Sequence, residues 1–204
     1  MRQQNYITNV KVVVLKITYN DAPYIQVDYN NPTAAYEQEN TYLHNNVYRN
    51  NIIKTIVHQL NKNTLILVDR IAHGEILLET LKGLKGKDVY FISGEVELED
   101  RERIRALMEV QDNIICVAIS KIFSTGVNIK NLHYIFFASI GKAKIKIIQS
   151  IGRSLRLHAS KKQATIFDIG DNLKYGNKHL QERLMLYTEE KIPYITKEIN
   201  QNEK

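Results

Sequence analysis

Residues 114–119 form the most informative apolar run of the chain, reading Ile114-Ile-Cys-Val-Ala-Ile119, and Ser120-Lys121 follows at once. Six consecutive apolar residues that end in polar ones are typical of a strand buried on both faces of a parallel sheet. Other short apolar runs lie before and after it, and helical patterns separate most of them. This alternation predicts an α/β fold in which helices flank a parallel sheet with right-handed crossovers.

The same patterning predicts the individual elements. Strands are predicted at Tyr6–Tyr19, Leu65–Val68, Val89–Ile92, Ile114–Ile119, Tyr134–Ala138 and Thr165–Ile169. Helices are predicted at His73–Leu84, Leu98–Val110, Ala143–His158 and Tyr175–Glu190, and in a stretch that Thr33 caps and that reaches about Leu60. We therefore divide the chain into an N-terminal strand and helix leading into the domain (1–62), a core (63–172), and a C-terminal helix and tail (173–204).

Composition places the chain among ordinary globular proteins. It has 204 residues, of which 44% are hydrophobic and 25% are charged, which is enough for one compact core. No apolar run approaches the roughly 20 residues that a membrane span needs, and Met1–Asn20 has no small-residue cleavage site, so we expect neither a membrane partner nor a secretory signal. The single Cys116 cannot form an internal disulfide, which fits a reducing cytoplasm.

Positive charge is concentrated in one region of the sequence. The net charge is +6, yet between Asn113 and Phe167 there is no Asp or Glu, while nine Lys and Arg residues lie there. A basic zone of this kind is typical of proteins that bind phosphate-bearing partners. A solvated basic face without a partner is the alternative interpretation.

The segment Gln149-Ser-Ile-Gly-Arg153-Ser-Leu-Arg156 carries two arginines at helical spacing. Gln149, Arg153 and Arg156 lie four and three residues apart, so they share one face of the predicted helix. Guanidinium groups bind phosphate oxygens with two parallel hydrogen bonds and keep their charge. The pattern therefore favours a triphosphate ligand; a solvated helix face, or two surface salt bridges, is the alternative.

The segment Ser120-Lys-Ile-Phe-Ser-Thr-Gly-Val-Asn128 follows directly from a predicted buried strand. Ligands of parallel sheets bind at the carboxyl ends of the strands. Ser120 and Thr125 can donate hydrogen bonds to phosphate oxygens, and Gly126 permits a close turn that brings Asn128 toward a ribose or base. Alternatively, these side chains satisfy local backbone groups.

Together, these two segments resemble motifs V and VI of superfamily 2 helicases, which belong to the second RecA-like domain. The resemblance is strongest to the C-terminal half of the phage UvsW type of recombination and fork-remodelling helicase. It is carried by Ala72-His73-Gly74, Val89-Tyr-Phe-Ile-Ser-Gly-Glu-Val96, Phe123-Ser-Thr-Gly126, Lys130-Asn-Leu-His133 and Ile151-Gly-Arg-Ser-Leu-Arg156. The similarity runs from about Tyr6 to Asp171, and it implies a RecA-like helicase domain 2, a relative of the phosphate-loop NTPase fold that lacks the loop.

The resemblance also implies roles for single residues. Arg153 and Arg156 would be arginine fingers that reach ATP on a partner domain, and Gln149 would help couple the nucleotide to DNA. Gly126 and Asn128 would approach the sugar of the nucleotide, although the family pattern often has Asp where Asn128 stands. Contacts to the nucleic acid backbone are implied for Ser93, Gly94, Ser120, Lys121, Thr125 and Arg70.

Two motifs that ATP hydrolysis requires are absent from the sequence. There is no Gly-x-x-x-x-Gly-Lys-Ser/Thr phosphate loop and no Asp-Glu dipeptide, so the groups that cradle the β and γ phosphates and Mg²⁺ are missing. The chain is therefore predicted not to hydrolyse ATP alone. The six histidines have no metal-ligand spacing, and we predict no metal site in the chain itself.

The functional prediction is the second motor domain of an ATP-dependent DNA helicase, acting in unwinding, branch migration, fork regression, recombination and repair. ATP with Mg²⁺ would be held mainly by an N-terminal RecA-like ATPase domain in the same or a separate chain, and branched or single-stranded DNA is the expected partner. The expected location is the cytoplasm, that of a bacterial host if a phage encodes the protein. The alternative is a non-catalytic nucleic-acid-binding or annealing module with a helicase-like fold.

Overall fold

A computed structural model of the chain describes residues 10–20, 22, 31–94, 96–123, 129, 131–139, 141 and 163–201. The strands are β1 (Val10–Thr18), β2 (Thr64–Val68), β3 (Asp88–Ile92), β4 (Ile114–Ile119), β5 (Tyr134–Phe137), β6 (Ala164–Asp171) and β7 (Tyr194–Asn200). The helices are α1 (Pro32–Asn45), α2 (Val47–Gln59), α3 (Ile71–Leu81), α4 (Leu98–Val110), α5 (Ser120–Phe123) and α6 (Lys174–Glu189). Among the helices of these residues, none combines the length and the hydrophobicity that a membrane span requires.

The strands form one seven-stranded sheet in the order β3-β4-β2-β5-β6-β1-β7, and every neighbouring pair is parallel. Helices α1, α2 and α3 cover one face, where Leu43, Ile53 and Leu77 pack against the strands. Helices α4 and α6 cover the other face through Met108 and Leu180. The predicted α/β class, a parallel sheet flanked by helices, is confirmed.

The N-terminal helical region differs from its prediction. One helix capped by Thr33 is wrong, because two helices occupy this stretch. The side chain of Asn31 caps α1 by accepting a hydrogen bond from the Ala34 amide (3.2 Å), and Asn46 caps α2 by accepting one from the Arg49 amide (2.9 Å). Asparagine favours such caps because its side-chain oxygen satisfies an amide that the helix leaves without a partner. Asn46 thereby ends one helix and begins the next.

Both ends of the described chain take part in the sheet. Strand β1 lies between β6 and β7, so that Val12 pairs with Ile166 on one side and with Tyr194 on the other. Strand β7 was not predicted, because its sequence is polar and the strand lies exposed at the edge. The division of the chain at residues 62 and 172 stays a prediction, and the predicted helix Ala143–His158 lies outside the described residues.

Candidate nucleic-acid interface

Three neighbouring strands bring polar residues to one edge of the sheet. β3, β4 and β2 are adjacent and parallel, so their carboxyl ends meet at the same edge. Ile92 pairs with Ala118, and Val68 pairs with Ile119, so the chain leaves the three strands at nearly the same level. Ligands of open α/β sheets bind at this edge. The residues that follow the strands are Asp69, Arg70, Ser93, Gly94, Ser120 and Lys121.

Gly94 leaves the main chain open at the end of β3. Gly94 is exposed, and a Cβ atom added there would have no heavy atom of the described chain within 4 Å. Its backbone is not in the left-handed region, so neither packing nor conformation requires glycine here. Ser93 beside it is only 6% exposed. The surface at Gly94 therefore gives a ligand room to approach the peptide backbone closely.

Ser120 begins α5 at the end of β4 and is 5% exposed. Its hydroxyl donates a hydrogen bond to the Val68 carbonyl at 3.0 Å, which ties the end of β4 to the end of β2. The hydrogen of this hydroxyl is thus already engaged in a hydrogen bond within the protein. Lys121, the next residue, is exposed. Of the two residues, Lys121 is therefore better placed to meet a phosphate, and both DNA-binding roles stay predictions.

Arg70 lies at the N-cap position of α3 and is exposed. Its guanidinium forms an ion pair with Glu37 of α1, in which both side chains are about half exposed (50% and 45%). The carboxylate of Glu37 neutralises part of the positive charge that a phosphate would meet. Contact of Arg70 with DNA stays a prediction.

The remaining predicted site residues are not part of the described structure. Gln149, Arg153 and Arg156, together with Thr125, Gly126 and Asn128, lie outside the described residues. Their roles stay predictions that rest on the sequence. Within the described part, no group of three or more His, Cys, Asp or Glu side chains could hold a metal ion.

A buried ion pair that the sequence did not reveal lies at the same edge of the sheet. Arg49 of α2 binds Asp171, with Nε 2.9 Å from Oδ1 and Nη2 3.2 Å from Oδ2, and Nη2 also donates to the Ala138 carbonyl at 2.7 Å. Both side chains are fully buried. Burial is the largest influence and opposes the charged guanidinium, but the negative charge of Asp171, together with Tyr19 and the hydrogen bonds to both, outweighs it and raises the pKa of Arg49. The pair joins α2 to the carboxyl ends of β5 and β6.

Tyr19, just beyond β1, completes this network. Its hydroxyl donates to Asp171 Oδ1 at 2.5 Å, and the carboxylate thus receives hydrogen bonds from two elements. Burial, and then the charge of Asp171, raise the pKa of Tyr19. The tyrosine is therefore a fixed donor at physiological pH. In the sequence, the one sign of this network is Asp171, an acidic residue at the end of a largely apolar strand.

Two buried histidines lie beside this ion pair. The rings of His44 and His73 stack with centroids 4.4 Å apart and an angle of 15° between their planes. His73 Nε2 lies 3.3 Å from Asn50 Oδ1, while His44 Nε2 and His73 Nδ1 have no hydrogen-bond partner among the described residues. Burial, and then the charge of Arg49, lower the pKa of both rings. Both histidines are therefore packing residues that stay neutral.

Comparison with known proteins gives one family match. Residues 48–158 match the family described as helicase conserved C-terminal domain. This range contains all of α2 except its first residue, and every element from β2 to β5. It also contains the segment with Gly126 and the segment with Arg153 and Arg156. The match therefore covers more than half of the chain and includes the three strands that form the candidate interface.

Individual relatives agree with this family. The chain is 35% identical over 158 residues to the ATP-dependent DNA helicase uvsW of Enterobacteria phage T4, which covers 70% of this chain and 31% of the relative. A crystal structure of T4 UvsW superimposes with a TM-score of 0.76 and 30% identity, covering 95% of this chain and 42% of that one. The C-terminal domain of the DEAD-box protein Dbp5 shares the fold (TM-score 0.59, 14% identity, 78% and 87% covered). The chain thus spans about a third of the length of the T4 helicase that it matches.

Proposed function

This chain belongs to the helicase conserved C-terminal domain family, and we propose that it is the second motor domain of an ATP-dependent DNA helicase that unwinds and remodels branched DNA. Its similarity to a phage T4 protein named as an ATP-dependent DNA helicase supports this proposal. Because the chain spans only 31% of that relative, the activity would belong to a larger assembly. An N-terminal RecA-like ATPase domain would supply the rest of the machinery.

The observation that carries the proposal is the shared edge of β3, β4 and β2. Gly94 leaves the backbone open there, and the cation of Lys121 follows the neighbouring strand. Backbone amides and lysines are groups that bind phosphates without reading base sequence. The edge is therefore suited to hold the sugar-phosphate backbone of DNA, as a helicase that moves along any sequence requires.

The nucleotide-binding part of the proposal rests on the sequence. The chain has neither a phosphate loop nor an Asp-Glu dipeptide, so Mg²⁺ and ATP would be held mainly by the partner domain. When bound, ATP supplies the free energy that drives movement along DNA. Arg153 and Arg156 would stabilise negative charge that develops on the transferred phosphoryl group, an effect worth about 10³–10⁵ in rate for arginine fingers. Gln149, Gly126 and Asn128 would lie near the nucleotide.

A reconstitution experiment tests the motor-domain proposal. The chain is joined in one polypeptide to a helicase N-terminal domain that carries a phosphate loop and an Asp-Glu pair, and DNA-stimulated ATP hydrolysis is measured. We expect hydrolysis in the joined protein, and we expect Arg156→Ala to lower kcat by about 10³-fold. Arg103→Ala is the matched control, because this arginine of α4 is 66% exposed and pairs with Asp100 of its own helix.

The same experiment separates the motor domain from a non-catalytic binding module. If the joined protein hydrolyses ATP no faster than the N-terminal domain alone, the motor-domain proposal is wrong. If, in addition, the chain binds DNA and the substitutions Arg153→Ala and Arg156→Ala leave binding unchanged, the annealing or binding module is the better description. Hydrolysis that responds equally to Arg103→Ala and Arg156→Ala would also contradict the assigned role of Arg156.

A further inference from the structure

Arg101 of α4 holds the loop that connects β3 to α4. Its Nε donates a hydrogen bond to the Val96 carbonyl at 2.7 Å, and its Nη2 donates to the Gly94 carbonyl at 2.8 Å. The Val96 amide also bonds to the Ser93 carbonyl at 3.4 Å. One planar guanidinium therefore fixes two carbonyls of the loop that leaves β3.

The other arginines of the same helix are used differently. Arg103 and Arg105 form ion pairs within α4, three residues from their partners Asp100 and Glu102. Both of these pairs are exposed to solvent. Arg101 is half-buried and reaches off the helix to main-chain oxygens. Of the three, Arg101 is thus the arginine that connects α4 to the candidate interface.

Arg101 ties the start of α4 to the preceding loop but does not cap the helix, because a guanidinium only donates hydrogen bonds and the free amides of a helix start need acceptors. Glu97 occupies the N-cap position of α4, and its side chain makes no capping hydrogen bond. Arg101, a residue of the first turns of α4, therefore holds the start of the helix to the preceding loop. Because the fork of Arg101 spans both Gly94 and Val96, the position of the Gly94 backbone depends on this side chain.

Building on the proposed function, we propose that Arg101 is a positioning residue for DNA binding, one that presents the open backbone at Gly94 to the sugar-phosphate chain. A loop that is already held in its binding conformation loses less conformational entropy when the ligand binds. Two of the five guanidinium donors of Arg101 are used internally, on the Gly94 and Val96 carbonyls. In this proposal its effect on DNA passes through Gly94, and the salt dependence of binding distinguishes this from a phosphate contact of its own.

Fluorescence anisotropy with a labelled single-stranded oligonucleotide tests this role in the full 204-residue chain. We expect Arg101→Ala to weaken binding about tenfold, with no change in the slope of log K against log salt, because no phosphate contact is lost. We expect Arg101→Lys to weaken binding to the same extent, because an ammonium group cannot reproduce the two-point fork. Arg103→Ala should stay within about twofold of the wild type.

A double-mutant cycle adds a readout that general destabilisation would not give. If Arg101 acts through Gly94, the losses caused by Arg101→Ala and Gly94→Ala are not additive, since each removes the same arrangement. Binding is measured at urea concentrations far below the unfolding midpoint of each variant, and circular dichroism verifies that the variant is folded under these conditions. Additive losses would show that Arg101 acts independently of Gly94 and would overturn the inference.

Other outcomes also decide the question. A slope that falls by about 0.7 in Arg101→Ala would identify a direct phosphate contact on single-stranded DNA, and restored binding in Arg101→Lys would identify a role of charge alone. Either result overturns the positioning role. If Gly94→Ala weakens binding and Arg101→Ala does not, the inference fails while the proposed site stands. If the wild-type chain binds no oligonucleotide, both fail.

Discussion

The guanidinium of Arg49 and the carboxylate of Asp171 form a two-point ion pair from which solvent is fully excluded, across 122 positions of sequence. Their attraction is strong because no solvent screens the two charges, but both charges also lose their hydration there. Removal of one partner is therefore strongly destabilising, because the other charge stays buried without its counter-ion. It fixes α2 against the ends of β5 and β6, on the same edge of the sheet as the candidate interface.

Replacing one partner of this pair should destabilise the fold strongly. We expect Arg49→Met to lower the free energy of unfolding by about 3–5 kcal/mol, because Asp171 is left as an uncompensated buried charge. Urea unfolding followed by circular dichroism measures the loss. Lys16→Met is the matched control: Lys16 pairs with Glu198 at 3.2 Å, but both side chains are exposed, so the change should stay within about 1 kcal/mol. Equal losses in the two variants would contradict the structure.

Stability should fall in mild acid because of His44 and His73. Burial, followed by the charge of Arg49, lowers the pKa of His44 to about 4, and His73 shifts in the same direction. The unfolded chain therefore binds more protons than the folded chain between about pH 6.5 and pH 4. The free energy of unfolding therefore has its full value above pH 6.5. It decreases as the pH falls toward 4, by about 3 kcal/mol for His44 alone.

Urea unfolding at a series of pH values measures this dependence. His44→Gln and His73→Gln should each reduce the slope of unfolding free energy against pH in that range. His58→Gln serves as the control, since His58 is exposed on α2. A slope that is unchanged in both buried variants would show that other groups cause the acid sensitivity.

Two glycines should respond in opposite ways to alanine. A Cβ at Gly74 would lie 2.3 Å from the Phe91 ring, whereas a Cβ at Gly94 meets open space. We expect Gly74→Ala to destabilise the protein by about 1–3 kcal/mol through overpacking. Gly94→Ala should leave the urea midpoint unchanged and weaken oligonucleotide binding about tenfold, as a side chain blocks close approach to the backbone. Normal binding by folded Gly94→Ala would argue against a DNA contact there.

Ser120 should contribute to stability through its bond to Val68. We expect Ser120→Ala to cost about 1 kcal/mol, because a buried carbonyl loses its hydroxyl donor. Thr80→Ala removes a hydroxyl that bonds to the Ile76 carbonyl of its own helix, and it should cost less than about 0.5 kcal/mol. Thermal or urea unfolding compares the two variants. A larger loss in Thr80→Ala would contradict this assignment.

The elements that the sequence predicted well are those whose signal is local. Helix Leu98–Val110 and strand Ile114–Ile119 have the predicted bounds, because helical spacing and a continuous apolar run are properties of the segments themselves. The break at Asn46 was missed because Asn occurs both within helices and as a cap, and only the bond to the Arg49 amide distinguishes the two. Strand Tyr194–Asn200 was missed because its exposed, polar sequence carries no apolar alternation.

The candidate site was predictable in outline only. That Gly94 and Ser120 reach one edge follows from parallel strands, which the sequence predicts. The hydrogen bond from Ser120 to the Val68 carbonyl depends on β4 lying next to β2. The contact of Arg101 with the Gly94 carbonyl depends on the first turns of α4 lying beside the end of β3. Such contacts join residues through the folded geometry. They leave no mark in the spacing of residues along the chain.

The place of β1 has a consequence for how the protein forms during synthesis. The first described strand hydrogen-bonds to β6 and β7, which lie at the far end of the chain. During synthesis on the ribosome, β1 cannot pair with β6 and β7 until roughly the last fifth of the described sequence has emerged. Contacts between such distant segments slow folding and leave strand edges exposed meanwhile. Chaperone dependence in the cell is the expected result, and β1 is the segment for a chaperone to protect.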